Sequence, residues 1–240
     1  MRLAVLLLSL TIPACAGRSN FRPPPLPELV ATVRPVAPLV ASDLRMIGGE
    51  RLIWDVQAKG FSVARAELTV GDDTVTSRIE TSVLASTVTS LRHDLATTLD
   101  REHVRTRTMR ETLVIEGKTT TTDALFDSKG YIVDGKVTAA PNVQTVHSAL
   151  GMLRDWVAPD ARAGLLPILV GGVVYRLEVS QPTLTELSGT SAYKVECRIA
   201  GLGAVTLWLA TSDDHTPVRI EVTTSDGKLT AQLIERTAMK

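Results

Sequence analysis

The chain has 240 residues, 44% of them apolar, and sets 26 Lys and Arg against 26 Asp and Glu for a formal net charge of zero. Such a balance provides no global basic field to recruit nucleic acid or an anionic bilayer, which argues against nucleic acid as a partner. Cysteine occurs only at Cys15 and Cys197, so no intramolecular disulfide forms once Cys15 is acylated or removed, and packing alone has to stabilise the fold.

Met1 to Gly17 reads MRLAVLLLSLTIPACAG, with one Arg, an apolar run from Leu3 to Ile12 and small residues around Cys15. This is the pattern of a secretory signal, whose apolar stretch is too short to span a bilayer. Residues 1–16 are therefore read as a signal peptide and the protein as exported. Ile12-Pro13-Ala14-Cys15 resembles a bacterial lipobox, in which the cysteine thiol takes up a diacylglycerol and becomes the new N-terminus. Ala14-Cys15-Ala16 also fits ordinary signal cleavage. The first route anchors the protein to a membrane through Cys15, each buried CH₂ contributing about 0.8 kcal/mol. Because Ala16 is not the Asp that retains such proteins at the inner membrane, that route implies the outer membrane, facing the periplasm. The second route leaves a soluble periplasmic protein.

Residues 17–44 carry Phe21-Arg22-Pro23-Pro24-Pro25-Leu26-Pro27, then Pro35 and Pro38, and read as a semi-rigid Pro-rich tether. Within it, Leu29 to Val33 and Leu39 to Leu44 are apolar enough for part of the tether to dock on the domain. Residues 45–240 read as a single β-rich domain. From Gly49 onward apolar and polar residues alternate in many short runs separated by turn residues, the signature of a meandering antiparallel sheet. Leu52, Trp54, Val56 and Ala58 share one face of a first strand, and Ala64, Ala66, Leu68 and Val70 one face of a second. Ser90 to Asp100 is ambiguous in period, and its Thr content favours a strand. Gly71-Asp72-Asp73, Asp134-Gly135, Gly201-Leu202-Gly203, Ser212-Asp213-Asp214 and Asp226-Gly227 supply turns. The one amphipathic helix predicted spans Val143 to Val157, with Val146, Leu150, Leu153 and Val157 on its apolar face. Alternation continues in Val173, Tyr175, Leu177 and Val179, in Tyr193, Val195, Cys197 and Ile199, and in Val218, Ile220 and Val222. The expected architecture is mainly β: a curved antiparallel sheet or partly open barrel with the helix against its concave face.

Several blocks carry a family resemblance. Gly49-Glu50, Trp54-Asp55-Val56 and Ala64-Arg65-Ala66-Glu67-Leu68 are followed by Ser148-Ala149-Leu150 with Leu153-Arg154. Leu207-Trp208-Leu209, Asp213-Asp214, Pro217-Val218-Arg219-Ile220-Glu221, Gly227 and Leu233 close the series. Their order and spacing over roughly residues 49–236 resemble the bacterial exported family known as domain of unknown function 3108. Ala64 stands where that family has Gly, and Trp54 where it usually has Tyr. The resemblance implies a curved sheet wrapped partly around a helix, similar in outline to periplasmic lipoprotein-carrier-like half-barrels. It brings no catalytic residues.

The chemistry-bearing residues are sparse. His93, His103, His147 and His215 lack metal-ligand spacing, and no nucleophile elbow or phosphate-binding loop occurs; Gly171-Gly172 leads into a strand without the lysine and helix a phosphate cradle needs. Asp213-Asp214-His215 reads as a hairpin turn, His147 and Ser148 as core-edge residues that cannot pair, and Arg105, Arg107, Arg110 and Glu111 as a solvated outer face. Cys197 reads as a small buried hydrophobe. No catalytic residue, cofactor or metal is expected. The small inward residues leave room for an apolar groove lined by Trp54, Ala64, Ala66, Leu68, Val146, Leu150, Leu153 and Tyr175. The expected function is a non-enzymatic envelope lipoprotein binding a lipid or hydrophobic peptide there. The alternative is an outer-membrane scaffold with no ligand cavity, binding another envelope protein.

Overall fold

A computed structural model describes residues 37–200, 203–225 and 227–238; Cys15, the signal segment and residues 17–36 of the tether lie outside the described residues. In chain order the elements are β1 (Glu50–Ala58), β2 (Phe61–Val70), β3 (Thr74–Thr81), the single-turn α1 (Val83–Ser86), β4 (Leu91–Asp100), β5 (Arg105–Ile115), β6 (Lys118–Phe126), β7 (Tyr131–Val133) and β8 (Lys136–Thr138). Then come α2 (Val146–Trp156), β9 (Gly164–Val170), β10 (Val173–Val179), β11 (Thr183–Leu187), β12 (Thr190–Ile199), β13 (Gly203–Ala210), β14 (Pro217–Thr224) and β15 (Gly227–Ala238). All strands join one antiparallel 15-stranded sheet in the order β8-β7-β6-β5-β4-β3-β2-β1-β15-β14-β13-β12-β10-β9, with β11 also on β12. The protein is therefore mainly β, as the alternation predicts. The sheet curls strongly without closing into a barrel.

Local chemistry explains the hairpins. Lys59-Gly60, Glu116-Gly117, Asp134-Gly135, Gly171-Gly172 and Ser188-Gly189 all hold positive φ at both central residues. That backbone matches the right-handed strand twist and is cheapest with Gly second. The two meanders are joined by a seam of the first and last strands, running from Glu50 opposite Ala238 to Ala58 opposite Leu229. A register shift in the β1–β2 pair places Val63 as an extra residue, so Val63 and Ala64 are both buried.

α2 starts at Val146, later than the predicted Val143, because a capping box closes its first turn: the Thr145 side chain accepts from the Ser148 amide and the Ser148 side chain from the Thr145 amide. Val143 and Gln144 are instead extended beside β9, where the Gln144 amide donates to the Pro167 carbonyl at 2.9 Å. The same edge of β9 is covered by Pro38, with the Leu39 amide donating to Leu165 at 2.9 Å. Leu39 and Leu44 are buried, so the stretch 37–44 of the Pro-rich segment is docked on the domain.

α2 lays Ala149, Met152, Leu153 and Val157 against the concave face, in one core with Leu52, Trp54, Leu68, Leu166, Leu177, Val195 and Leu209. Its end is clamped. Arg154, fully buried, pairs with Glu50 at 2.8 Å and donates from Nε to the Asp214 carbonyl at 2.9 Å. The turns at 71–73, 101–104 and 211–216 share this closed end. The turns at 59–60, 82–90 and 116–117 lie at the opposite, open end.

Candidate functional site

The inner face of the sheet can be followed across the ladder. Leu233, Trp54, Ala66, Ile79, His93, Leu113 and Thr120 stand side by side on seven strands, and Ile220, Ala231, Val56 and Ala64 form the next row toward the open end. At the closed end α2 covers this face, and Trp54, Leu52 and Leu68 are buried. Beyond the helix Ala66, Ile79, Leu113, Ile220, Val222 and Ala231 point inward and yet stay half-exposed. Val56, Ala64 and Leu229 in that region are buried in a small separate cluster, and the half-exposed residues around them make an apolar wall, partly open to solvent, on the concave face beyond α2. Alanine at 58, 64, 66 and 231 keeps that wall recessed.

Structure and expectation differ here in position. Trp54, Leu68 and Leu153 belong to the sealed core, and the Trp54 ring N–H donates to the Pro217 carbonyl at 3.0 Å. Leu150, Ala66 and Tyr175 border that core half-buried, whereas Ala64 sits in a separate cluster with Val56, Val63 and Leu229. Val146 is 43% exposed and lines nothing: it directly follows the cap, and the apolar stripe of α2 runs through Ala149, Met152, Leu153 and Val157. The open wall lies further along the strands, on Ile79, Ile220 and Ala231. Period-2 alternation marked Ile220 as inward-facing, but nothing in the sequence says which inward residues the helix leaves bare.

Polar groups that read as surface or core edge prove to be interior. His147 is buried between the Thr97 hydroxyl at 2.9 Å and the Ser77 hydroxyl at 2.8 Å; burial, then the charge of His93, lowers its pKa to about 3 and keeps the ring neutral. Ser148 bonds Thr106 at 2.8 Å and belongs to the cap of α2. Glu111 is buried too, accepting from His93 at 2.9 Å and from the Gly171 amide at 2.8 Å, which ties β5 to the β9–β10 turn. The expectation of a solvated face for the charged run therefore fails at Glu111. It stands on the same inner row as Leu68, Ser77 and Leu95. Arg107 and Arg110 are exposed, and Arg105 binds Asp100 at 3.0 Å.

Asp213-Asp214-His215 forms the predicted turn, with the Ser212 hydroxyl 2.6 Å from Asp214. It also locks α2, since His215 Nδ1 donates to the Arg154 carbonyl at 2.6 Å. Burial pushes the Cys197 thiol up to about 12, which fits a packing role rather than a reactive one. Among the described residues no cluster of three or more His, Cys, Asp or Glu gathers for a metal, and no helix is long and apolar enough to cross a membrane.

A second concavity of about 860 Å³ lies across β3–β7, lined by Thr76, Ala96, Thr98, Arg110, Asp123 and Leu125 among others. Within it Arg110 and Asp123, opposite each other on β5 and β6, pair at 3.7 Å and are both exposed. The recessed apolar wall of the concave face is the better candidate, because Ala66, Ile79, Val222 and Ala231 stay half-exposed on it although they pack against buried clusters.

No protein-family model and no curated protein matches the chain. Among solved structures, it is similar to a β-barrel-like protein of domain of unknown function DUF1849 from Brucella abortus, with a TM-score of 0.57 at 10% identity over 83% of this chain and 98% of that one. A DUF1089 family protein from Pseudomonas aeruginosa gives a TM-score of 0.44 at 13% identity over 67% and 90% of the two chains. The first likeness shows the fold: the chain is a β-barrel-like domain.

Proposed function

We propose that the chain is a non-enzymatic envelope lipoprotein, held at the outer membrane by a diacylglycerol on Cys15, whose concave sheet shelters an acyl chain of a lipid at its open end. The observation that carries this reading is the half-exposed inward row of Ala66, Ile79, Ile220, Val222 and Ala231, an apolar surface that a folded domain leaves wet only at a cost. The secretory pattern before Cys15 and the sequence blocks resembling domain of unknown function 3108 support an exported domain of this kind. Native mass spectrometry of the chain extracted from membranes tests both halves. It is expected to show a covalent diacylglycerol at Cys15 and a second, dissociable lipid; Ile79→Trp, which fills the recess, is expected to weaken binding of a fluorescent fatty acid at least tenfold while the chain stays folded. A chain with no dissociable lipid and no fatty-acid binding would overturn the groove. Partners from an envelope extract that vanish with residues 17–36 would favour the scaffold instead. That deletion spares Leu39 and Leu44, which the core needs.

A further inference from the structure

The open end carries a patch that inverts ordinary burial. α1 follows β3 and is seated by its smallest apolar residue, Ala85, against Val56, Val63, Ala64 and Leu229. Its larger neighbours point away: Val83 is 88% and Leu84 81% exposed, with Val88 at 55% just beyond the helix. Phe61, 75% exposed, opens β2 opposite Ala58, and the Ser82 amide donates to the Val63 carbonyl at 2.9 Å, so the two connections lie side by side. The patch thus behaves as a surface kept for a partner. It borders the cluster that forms the last row of the concave wall.

We infer that the domain docks on a bilayer through Phe61, Val83 and Leu84, which enter the acyl region and set the mouth of the groove against it, an inference that rests on the acyl-chain reading above. Two features choose a membrane over a protein partner. Around the patch Lys59, Arg65 and Arg92 are balanced by Asp55, Glu80 and Glu116, so attraction through the patch is apolar and needs no complementary charged surface. The chain also permits the geometry. Ala37 joins the domain beside Leu165, and the stretch from Cys15 to Ala37 reaches at most about 75 Å when extended. Ten-residue strands are only about 33 Å long. An anchor at Cys15 therefore lets the open end face the same bilayer.

The test uses the full chain bearing Leu84→Cys, coupled to an environment-sensitive dye and joined to phosphatidylcholine vesicles whose acyl chains are brominated. Residue 84 is exposed enough for the change to spare the fold, and buried Cys197 does not compete for the dye. Ser212→Cys, at the closed end, is the reference. Where Cys15 proves unmodified, it is replaced by Ser before labelling, and the chain is mixed with the vesicles and read in the same way. The dye at residue 84 is expected to be quenched at least threefold more than at residue 212, equally at high salt, and Phe61→Asp with Val83→Asp is expected to abolish the difference while fatty-acid binding persists. Equal quenching at both sites, or none at either, would overturn the inference. So would cross-links between two Leu84→Cys copies in place of quenching, which would give the patch to a second copy. Failure of the groove alone reads differently: residue 84 is quenched, but wild-type chain binds no fatty acid.

Discussion

At the residue scale, the buried polar groups decide how the domain responds to acid. His147 is neutral when folded and resists protonation until about pH 3, whereas in the unfolded chain it takes up a proton near its ordinary 6.5. Its contribution is therefore complete above pH 6.5 and is lost as pH falls toward 3, by up to about 5 kcal/mol. Two carboxylates add to the loss below about pH 4. His103 and Arg105 hold Asp100 at about 2; burial raises Asp214, but the Ser212 and Thr216 hydroxyls and Arg236 outweigh it and keep Asp214 at about 2. Urea midpoints measured across pH are expected to fall steadily from pH 6.5 downward. His147→Gln, which can still bond Thr97 and Ser77, is expected to flatten the upper part of that fall; an unchanged slope would refute the assignment. None of this was legible from His147 and Ser148 as neighbours in sequence. Polar residues on a helix are read as wet, and here the sheet supplies hydroxyls that let them be dry.

At the element scale, α2 was legible in kind but displaced in detail. Val146, Leu150, Leu153 and Val157 satisfy a helical stripe, yet Thr145 with Ser148 fixes the start, and the buried stripe is offset to Ala149 and Met152. The capping signal was weak in sequence because the third residue of the box is Ser rather than Glu or Gln. The segment 37–44 illustrates a different limit: Leu39 to Leu44 read as apolar enough to dock, but its landing place needed β9. That landing place depends on Gly164, where an added Cβ would lie 2.9 Å from Leu39 Cα and Cβ. Gly164→Ala is expected to push this segment off and destabilise the domain by about 1–3 kcal/mol. Hydrogen exchange should then rise at the Leu39 and Leu165 amides while β1 keeps its protection. Equal loss across β1 would mean that the segment and the sheet unfold as one unit.

At the scale of the whole molecule, the alternating runs predicted an antiparallel curved sheet with a helix on its concave face, and this is the fold observed. Hairpin neighbours follow from chain order and turn residues such as Asp134-Gly135. The pairing of β1 with β15 does not, because it joins residues near opposite ends of the domain and no local signal encodes it. It also determines which inward residues face each other, so the location of the open wall was hidden with it. Chains ending before Gly227 are expected to lose the cooperative unfolding transition, since β1 and β14 both lose their partner. Circular dichroism during a urea titration of such a truncation would show a broad, shallow change; a sharp transition would mean that the two meanders fold independently.

The same pairing imposes an order of events during folding. Chain order presents β1 long before β15, so from the time the Lys59-Gly60 hairpin forms, one flank of β1 waits unpaired until β15 arrives. An open strand of this kind is a template for other chains. Arg51 and Asp55, alternating with Leu52 and Trp54 along that strand, place charge on its outer side during the wait. The folding chain thus has an interval in which these charges, and not a strand partner, guard the edge of β1.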